Sequence, residues 1–220
     1  MSESLNIVTL EVTEFAQNCR IVVPRGCKSA VVIDPGGESE RVLAALASNG
    51  WECGQIWLTH SHLDHCAGVS KLKQASGARL FAHVEEKFFR ERVVEISRMY
   101  GIAPGSMEDC PEPDVELTEG AVLSLGPLRF EVLFCPGHSP GHVCFYEPSC
   151  GVLFSGDVLF AGSIGRTDLP GGDHNLLLSS IRRKLFVLPP ETVVYSGHGP
   201  LTTIGHERKS NPFLAEASLE

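Results

Sequence analysis

The segment Thr59-His60-Ser61-His62-Leu63-Asp64-His65 places four side chains able to hold a metal within six positions. It follows directly on residues 55–59, an apolar run that reads as a short buried strand. Three later segments repeat the arrangement of apolar strand, small residues, then one ligand. They are Cys135-Pro136-Gly137-His138, Phe154-Ser155-Gly156-Asp157 and Tyr195-Ser196-Gly197-His198. In each, a strand delivers a single His or Asp to its C-terminal edge, and the adjacent glycine permits a sharp turn and close backbone approach. Imidazole suits zinc, iron and similar borderline metals, and a carboxylate hardens the site.

The remaining pattern supplies the scaffold. Strand signals fall at Leu5–Val12, 20–23 and 30–33, the last running into the turn Asp34-Pro35-Gly36-Gly37. A helix is expected over 40–49, with Val42, Leu43 and Leu46 on one face and Gly50 as its stop. Helix 64–75, strand 79–82 and a longer helix 85–100 follow, then a loop over 103–113 rich in Pro, Gly and acidic residues. The second half gives strands at 121–125, Leu128–Phe134, 142–146 and 152–155. A helix over 173–186 with Asp173 as N-cap comes next, and a last strand at Val193–Ser196. Strands then helices, twice over, predict two similar αβ halves with sheets face to face. The 220 residues, 43% of them hydrophobic, suit a single domain spanning 1–220.

Charge and cysteine usage narrow the function. The chain carries 27 acidic and 18 basic residues, a formal charge of −9, which repels nucleic acid and anionic lipid. No nucleic-acid or membrane partner is expected, and a small-molecule substrate is. The eight cysteines form no C-x-x-C pair, as expected for reduced thiols packed as small apolar residues. No basic, then apolar, leader opens the chain, and no stretch approaches the ~18 apolar residues of a membrane span. The cytoplasm is the expected compartment.

The order H-x-H-x-D-H, then G-H, then G-D, then G-H resembles the metallo-β-lactamase superfamily, from about Leu5 to Pro212. Gly165-Arg166-Thr167-Asp168 and Ser196-Gly197-His198-Gly199-Pro200 are similar to short bacterial hydroxyacylglutathione hydrolases of the glyoxalase II type. The resemblance implies an α/β fold of four layers, αββα, with two facing mixed sheets and helices outside, without the C-terminal helical domain of longer glyoxalase II enzymes. It implies two divalent metals, zinc first, with iron or manganese also suited. One would be held by His60, His62 and His138, and the second by Asp64, His65 and His198, with Asp157 bridging. Asp64 and Asp157 are thereby the catalytic carboxylates. A hydroxide shared by the metals would cleave an S-acyl glutathione-type thioester. Arg166 would hold the substrate, and its alternative is a salt bridge with Asp168.

Other residues read as structural. His83, His142, His174 and His206 lie off the ligand pattern, and Cys66 packs beside a ligand set that is already full. Asp34 is a turn residue by chemistry, with support of a histidine as the alternative the resemblance raises. The rival enzyme is a mononuclear iron persulfide dioxygenase, which shares H-x-H-x-D-H but uses only two His and one Asp. The retained His198 favours the two-metal hydrolase.

Overall fold

The computed structural model describes residues 4–214. Strands β1 (Leu5–Val12), β2 (Gln17–Pro24), β3 (Ser29–Ile33), β4 (Glu52–Trp57), β5 (Arg79–His83) and β6 (Val115–Leu117) lie in that order across one sheet. The first three pair antiparallel and the rest parallel. The parallel steps need crossovers, supplied by α1 (Ser39–Ser48), α2 (Leu63–Cys66), α3 (Val69–Ser76), α4 (Lys87–Arg90) and α5 (Val93–Met99).

The second sheet begins with β7 (Val122–Leu125), β8 (Leu128–Phe134), β9 (Val143–Glu147) and β10 (Val152–Gly156). A small hairpin of β11 (Leu159–Phe160) and β12 (Ser163–Ile164) follows, then α6 (His174–Ser180). β13 (Val193–Ser196), β14 (Thr202–Thr203) and α7 (Ile204–Ser210) complete it, in the order β14-β13-β10-β9-β8-β7. Only β10 and β13 run parallel within it.

Alternation along the strands sorts the apolar side chains into three layers. Ile21, Val32 and Ile56 pack under the helices of the first half. Val22, Val31, Ile33 and Trp57 face Phe130, Val132, Phe145 and Phe154 between the sheets. Leu133, Cys144 and Leu153 turn outward onto Leu177 and Ile181. Three cores separate four layers, the αββα sandwich that the family resemblance implied. Trp57 anchors the middle layer, with ring centroids 5.1 Å from both Phe130 and Phe145. Six of the eight cysteines are buried within these layers.

Three helices differ from expectation, the first two for a tertiary reason. The helix predicted over 64–75 is split into α2 and α3, because the Gly68 N–H donates to Pro35 O at 2.9 Å rather than continuing the helical ladder. The helix predicted over 85–100 is broken into a tight turn Val84–Glu86, α4 and α5. Arg90 O and Val94 N would pair in a continuous helix. Instead Arg90 O accepts from Cys110 N at 2.9 Å, and Val94 N donates to Asp109 Oδ1 at 2.9 Å. The predicted surface loop therefore interrupts the helix. The helix predicted over 173–186 starts as expected, with Asp173 Oδ1 accepting from Leu176 N at 2.9 Å. It then widens over Ile181–Leu185, where Phe186 N reaches Ile181 O. β2 extends three residues earlier than predicted, and β6, β14 and α7 carried no recognised signal. No described helix is long and apolar enough to cross a membrane.

β3 and β4 in one sheet, and β8, β10 and β13 in the other, all end at the same edge. Backbone contacts join the sheets there: Asn18 N donates to Gly197 O at 2.7 Å, and Gln17 pairs with His198.

Candidate metal centre

That shared edge gathers all seven sequence-predicted ligands. Donor atoms lie within 4.8 Å of one another in three groups: His60, His62 and His138; Asp64, His65 and His198; and His60, His65 and Asp157. Asp157 reaches both outer groups. Its Oδ2 is 3.6 Å from His138 Nε2 and 3.5 Å from His198 Nε2, while Oδ1 is 3.4 Å from His65 Nε2. Within the groups, His62 Nδ1 is 2.9 Å from His138 Nε2, and Asp64 Oδ2 is 3.2 Å from His198 Nε2.

The outward ring nitrogens are occupied, which fixes the tautomers. His138 Nδ1 donates to Arg166 O at 2.8 Å, His198 Nδ1 to Phe15 O at 3.0 Å, and His65 Nδ1 to Asp34 Oδ2 at 3.1 Å. His60 Nδ1 lies 3.1 Å from Thr59 Oγ1, whose own proton goes to Asp34 Oδ2 at 2.7 Å. Each of these imidazoles therefore turns its Nε2 toward the centre. Among the described residues, the buried His60 Nε2 and Asp157 Oδ1 have no hydrogen-bond partner. Unpaired buried acceptors of this kind are costly unless a cation meets them, so the donor set fits a divalent metal.

Burial, and then the charge of neighbouring imidazoles, holds His60 well below its ordinary value of 6.5. Burial takes His62 to about 3 and also lowers His138. Burial opposes protonation of His65 too, but the Asp157 and Asp64 carboxylates outweigh it and hold His65 well above 6.5. His198 is raised in the same way, against burial, by Asp64 and Asp157. The first group is thus neutral without a metal, whereas the second retains protons that a metal must displace.

Close backbone approach makes room for the carboxylates. A Cβ at Gly197 would lie 2.2 Å from Asp157 Oδ1, and one at Gly156 (φ +48°) would lie 2.3 Å from Thr59 Oγ1. Asp34 both turns the chain and supports a ligand: besides His65, its Oδ1 accepts from Thr59 N at 2.7 Å. His142 is structural, as expected, and fully buried. It stacks on His60 with centroids 4.7 Å apart, and its Nε2 accepts from Asp157 N at 3.0 Å. His174 and His206 are exposed, and His83 stacks on Phe134. Burial pushes the Cys66 thiol well up, consistent with packing rather than ligation. The Arg166 side chain forms a two-point pair with Asp168, Nε to Oδ1 and Nη2 to Oδ2, both 2.7 Å, exposed at the mouth.

Residues 12–198 match the model of the metallo-beta-lactamase superfamily. The chain belongs to this superfamily. It is a metal-dependent hydrolase of that fold. A hydroxyacylglutathione hydrolase, GloC, of Haemophilus influenzae is 43% identical over 216 residues, covering 97% of this chain and 100% of that protein. Among solved structures, the BLEG-1 B3 metallo-beta-lactamase superposes with TM-score 0.88 at 40% identity, covering 96% of this chain and 100% of that one. TTHA1623 in a di-iron-bound form gives 0.86 at 40% identity, covering 94% and 100%. ETHE1 from Myxococcus xanthus gives 0.79 at 26% identity, covering 94% and 83%.

Several supporting residues escaped the sequence reading. Asn18 Nδ2 donates to Ser196 O at 3.2 Å and Gly199 O at 2.9 Å, and Arg20 Nη2 to Ser196 O at 2.9 Å, bracketing His198. Burial lowers Arg20 only to about 10, so it stays charged. Glu86 is buried beside the first ligand group. Its signal was present: Glu86, Phe89, Arg90, Val93 and Ser97 are buried at helical spacing, so this acid sits on the inward face.

Proposed function

We propose that this hydrolase cleaves S-acyl thioesters of the glutathione type, using two divalent metals, zinc first. One observation carries the reading: the second ligand group, Asp64, His65 and His198, is complete and shares Asp157 with the first. The GloC relative, at 43% identity, supports the substrate class. When bound, two such metals bring the pKa of a shared water to about 7 and polarise a carbonyl oxygen.

The chain supplies geometry and access. His60 and His65 are almost wholly enclosed, whereas the side chains of His198, Asp64 and Asp157 are 27%, 15% and 11% exposed. Substrate therefore approaches over the second group. Asp157 spans the two groups and is held by His142 through its backbone N–H. Burial disfavours its charged form, but His65 outweighs that and keeps it ionised. The Arg166 backbone stays on His138 while its guanidinium exchanges Asp168 for a substrate carboxylate, the same two-point geometry.

Purified metal-loaded protein is assayed with S-lactoylglutathione and, in an oxygen electrode, with glutathione persulfide. Thioester cleavage without oxygen uptake is expected. Rapid oxygen uptake with negligible thioester cleavage would transfer the assignment to the mononuclear iron dioxygenase.

A further inference from the structure

Glu86 closes the tight turn after β5 and is 1% exposed, yet it forms no ion pair among the described residues. Two backbone amides donate to it instead, and the Ser139 hydroxyl, next to His138, also favours its charged form against burial. Oε2 accepts from Ser61 N at 2.8 Å, and Oε1 accepts from Gly141 N at 2.7 Å. Ser61 lies between His60 and His62, and Gly141 lies three residues after His138 and immediately before His142. One carboxylate thus ties together the two segments that supply all three ligands of the first group.

Gly141 is shaped for this contact. A Cβ there would lie 2.8 Å from Glu86 Cγ and 2.9 Å from His83 Nδ1, so only glycine lets its amide reach the carboxylate undisturbed. Buried N–H to carboxylate bonds are short and strong because the acceptor is ionised. The second group is tied elsewhere: His65 by Asp34, and His198 by Phe15 together with the Asn18 and Arg20 clamps on its loop.

Resting on the metal-centre reading, we infer that Glu86 is the positioning residue of the first metal group. It sets the separation of the His60–His62 segment from His138, and thereby that group's affinity for a divalent cation. Its partner atoms are fixed amides, so an amide side chain at 86 turns one acceptor into a donor facing a donor. The 2.9 Å approach of His62 Nδ1 to His138 Nε2 then relaxes, while Asp64, His65 and His198 keep their own supports.

The test isolates each group before measuring it. His198→Ala leaves the first group to be titrated alone, and His138→Ala leaves the second. Cobalt(II) binding is followed by its absorbance and by competition with a chelator, with and without Glu86→Gln. Loss of an outer hydrogen-bond partner typically weakens a metal site 10–100-fold. That loss is expected in the His198→Ala background, with less than about a threefold change in the His138→Ala background. Gly141→Ala, which keeps the carboxylate but displaces it, should act in the same direction and decides the matter if Glu86→Gln does not fold. A merely structural tie would lower the metal-free melting temperature without this selectivity. Equal losses in both backgrounds, or none in either, would overturn the inference. No cobalt uptake by His198→Ala with Glu86 intact would overturn the metal-centre reading and the inference with it.

Discussion

Replacing Asp34 by Asn separates charge and tautomer from shape. Asp34 has φ 51°, a left-handed backbone that Asn tolerates and that costs Ala roughly 1–2 kcal/mol. The amide oxygen can still accept from Thr59 N, 2.7 Å away. The amide nitrogen takes the place of Oδ2, where the hydroxyl of Thr59 at 2.7 Å and Nδ1 of His65 at 3.1 Å both donate. Donor then faces donor. His65 escapes by moving its proton to Nε2, the atom 3.4 Å from Asp157 and 3.7 Å from Asp64, and that nitrogen can no longer bind a metal. Restoring the binding tautomer costs about the value of a hydrogen bond to a charged group, roughly 1.5–3 kcal/mol. The second metal should therefore bind about 10–100-fold more weakly, and the first should weaken as well, because Thr59 Oγ1, deprived of its acceptor, turns its proton toward Nδ1 of His60. Chelator-competition titration of zinc reads both affinities. Asp34→Ala should match this loss and also unfold at a lower temperature than Asp34→Asn, by about 2–4 °C for each additional kcal/mol. An Asp34→Asn protein that holds both metals as tightly as the parent would refute the tautomer argument.

Further outcomes follow from the same geometry. Asp157→Ala should weaken both metal sites and His198→Ala mainly the second; identical single-site losses would show that Asp157 does not bridge. Arg166→Ala should raise KM about tenfold for a thioester bearing a remote carboxylate and lower kcat little, whereas a fall in melting temperature at unchanged KM would leave only the Asp168 pair. Second-metal affinity should climb more steeply with pH than the first, because His65 and His198 hold their protons above 6.5 while His60, His62 and His138 are already neutral. The protonated His65 stabilises the metal-free fold fully below its unfolded value, and this is lost as pH rises through the raised folded value. Parallel affinity profiles for the two metals between pH 6 and 8 would contradict that ordering, a window set by the ordinary value of 6.5.

The candidate ligands were legible because their signal is local. Three apolar runs each end in small residues and one His or Asp, a fourth runs into the cluster His60–His65, and strand geometry alone carries such residues to a sheet edge. Alternation in β2, β3 and β4 likewise records two buried faces, and hence two cores on either side of one sheet. What periodicity records is that a side chain faces inward, not what it meets. Glu86 lay within a predicted helix as one charge among several, and only its bond to Gly141, 55 residues away, shows its use. Asn18 meets Ser196 across 178 residues, a contact made where the edges of two sheets converge. The broken helices have the same origin: Pro35, Asp109 and Cys110 capture backbone groups that a helix would otherwise pair internally. Local propensity is worth tenths of a kcal/mol per residue, whereas one buried backbone group left unpaired costs about 1–3 kcal/mol. The sequence by itself therefore determined which residues could bind metal and in what order they follow one another. The tertiary structure decided which nitrogen of each histidine faces the centre, because the atoms that fix each tautomer come from distant segments.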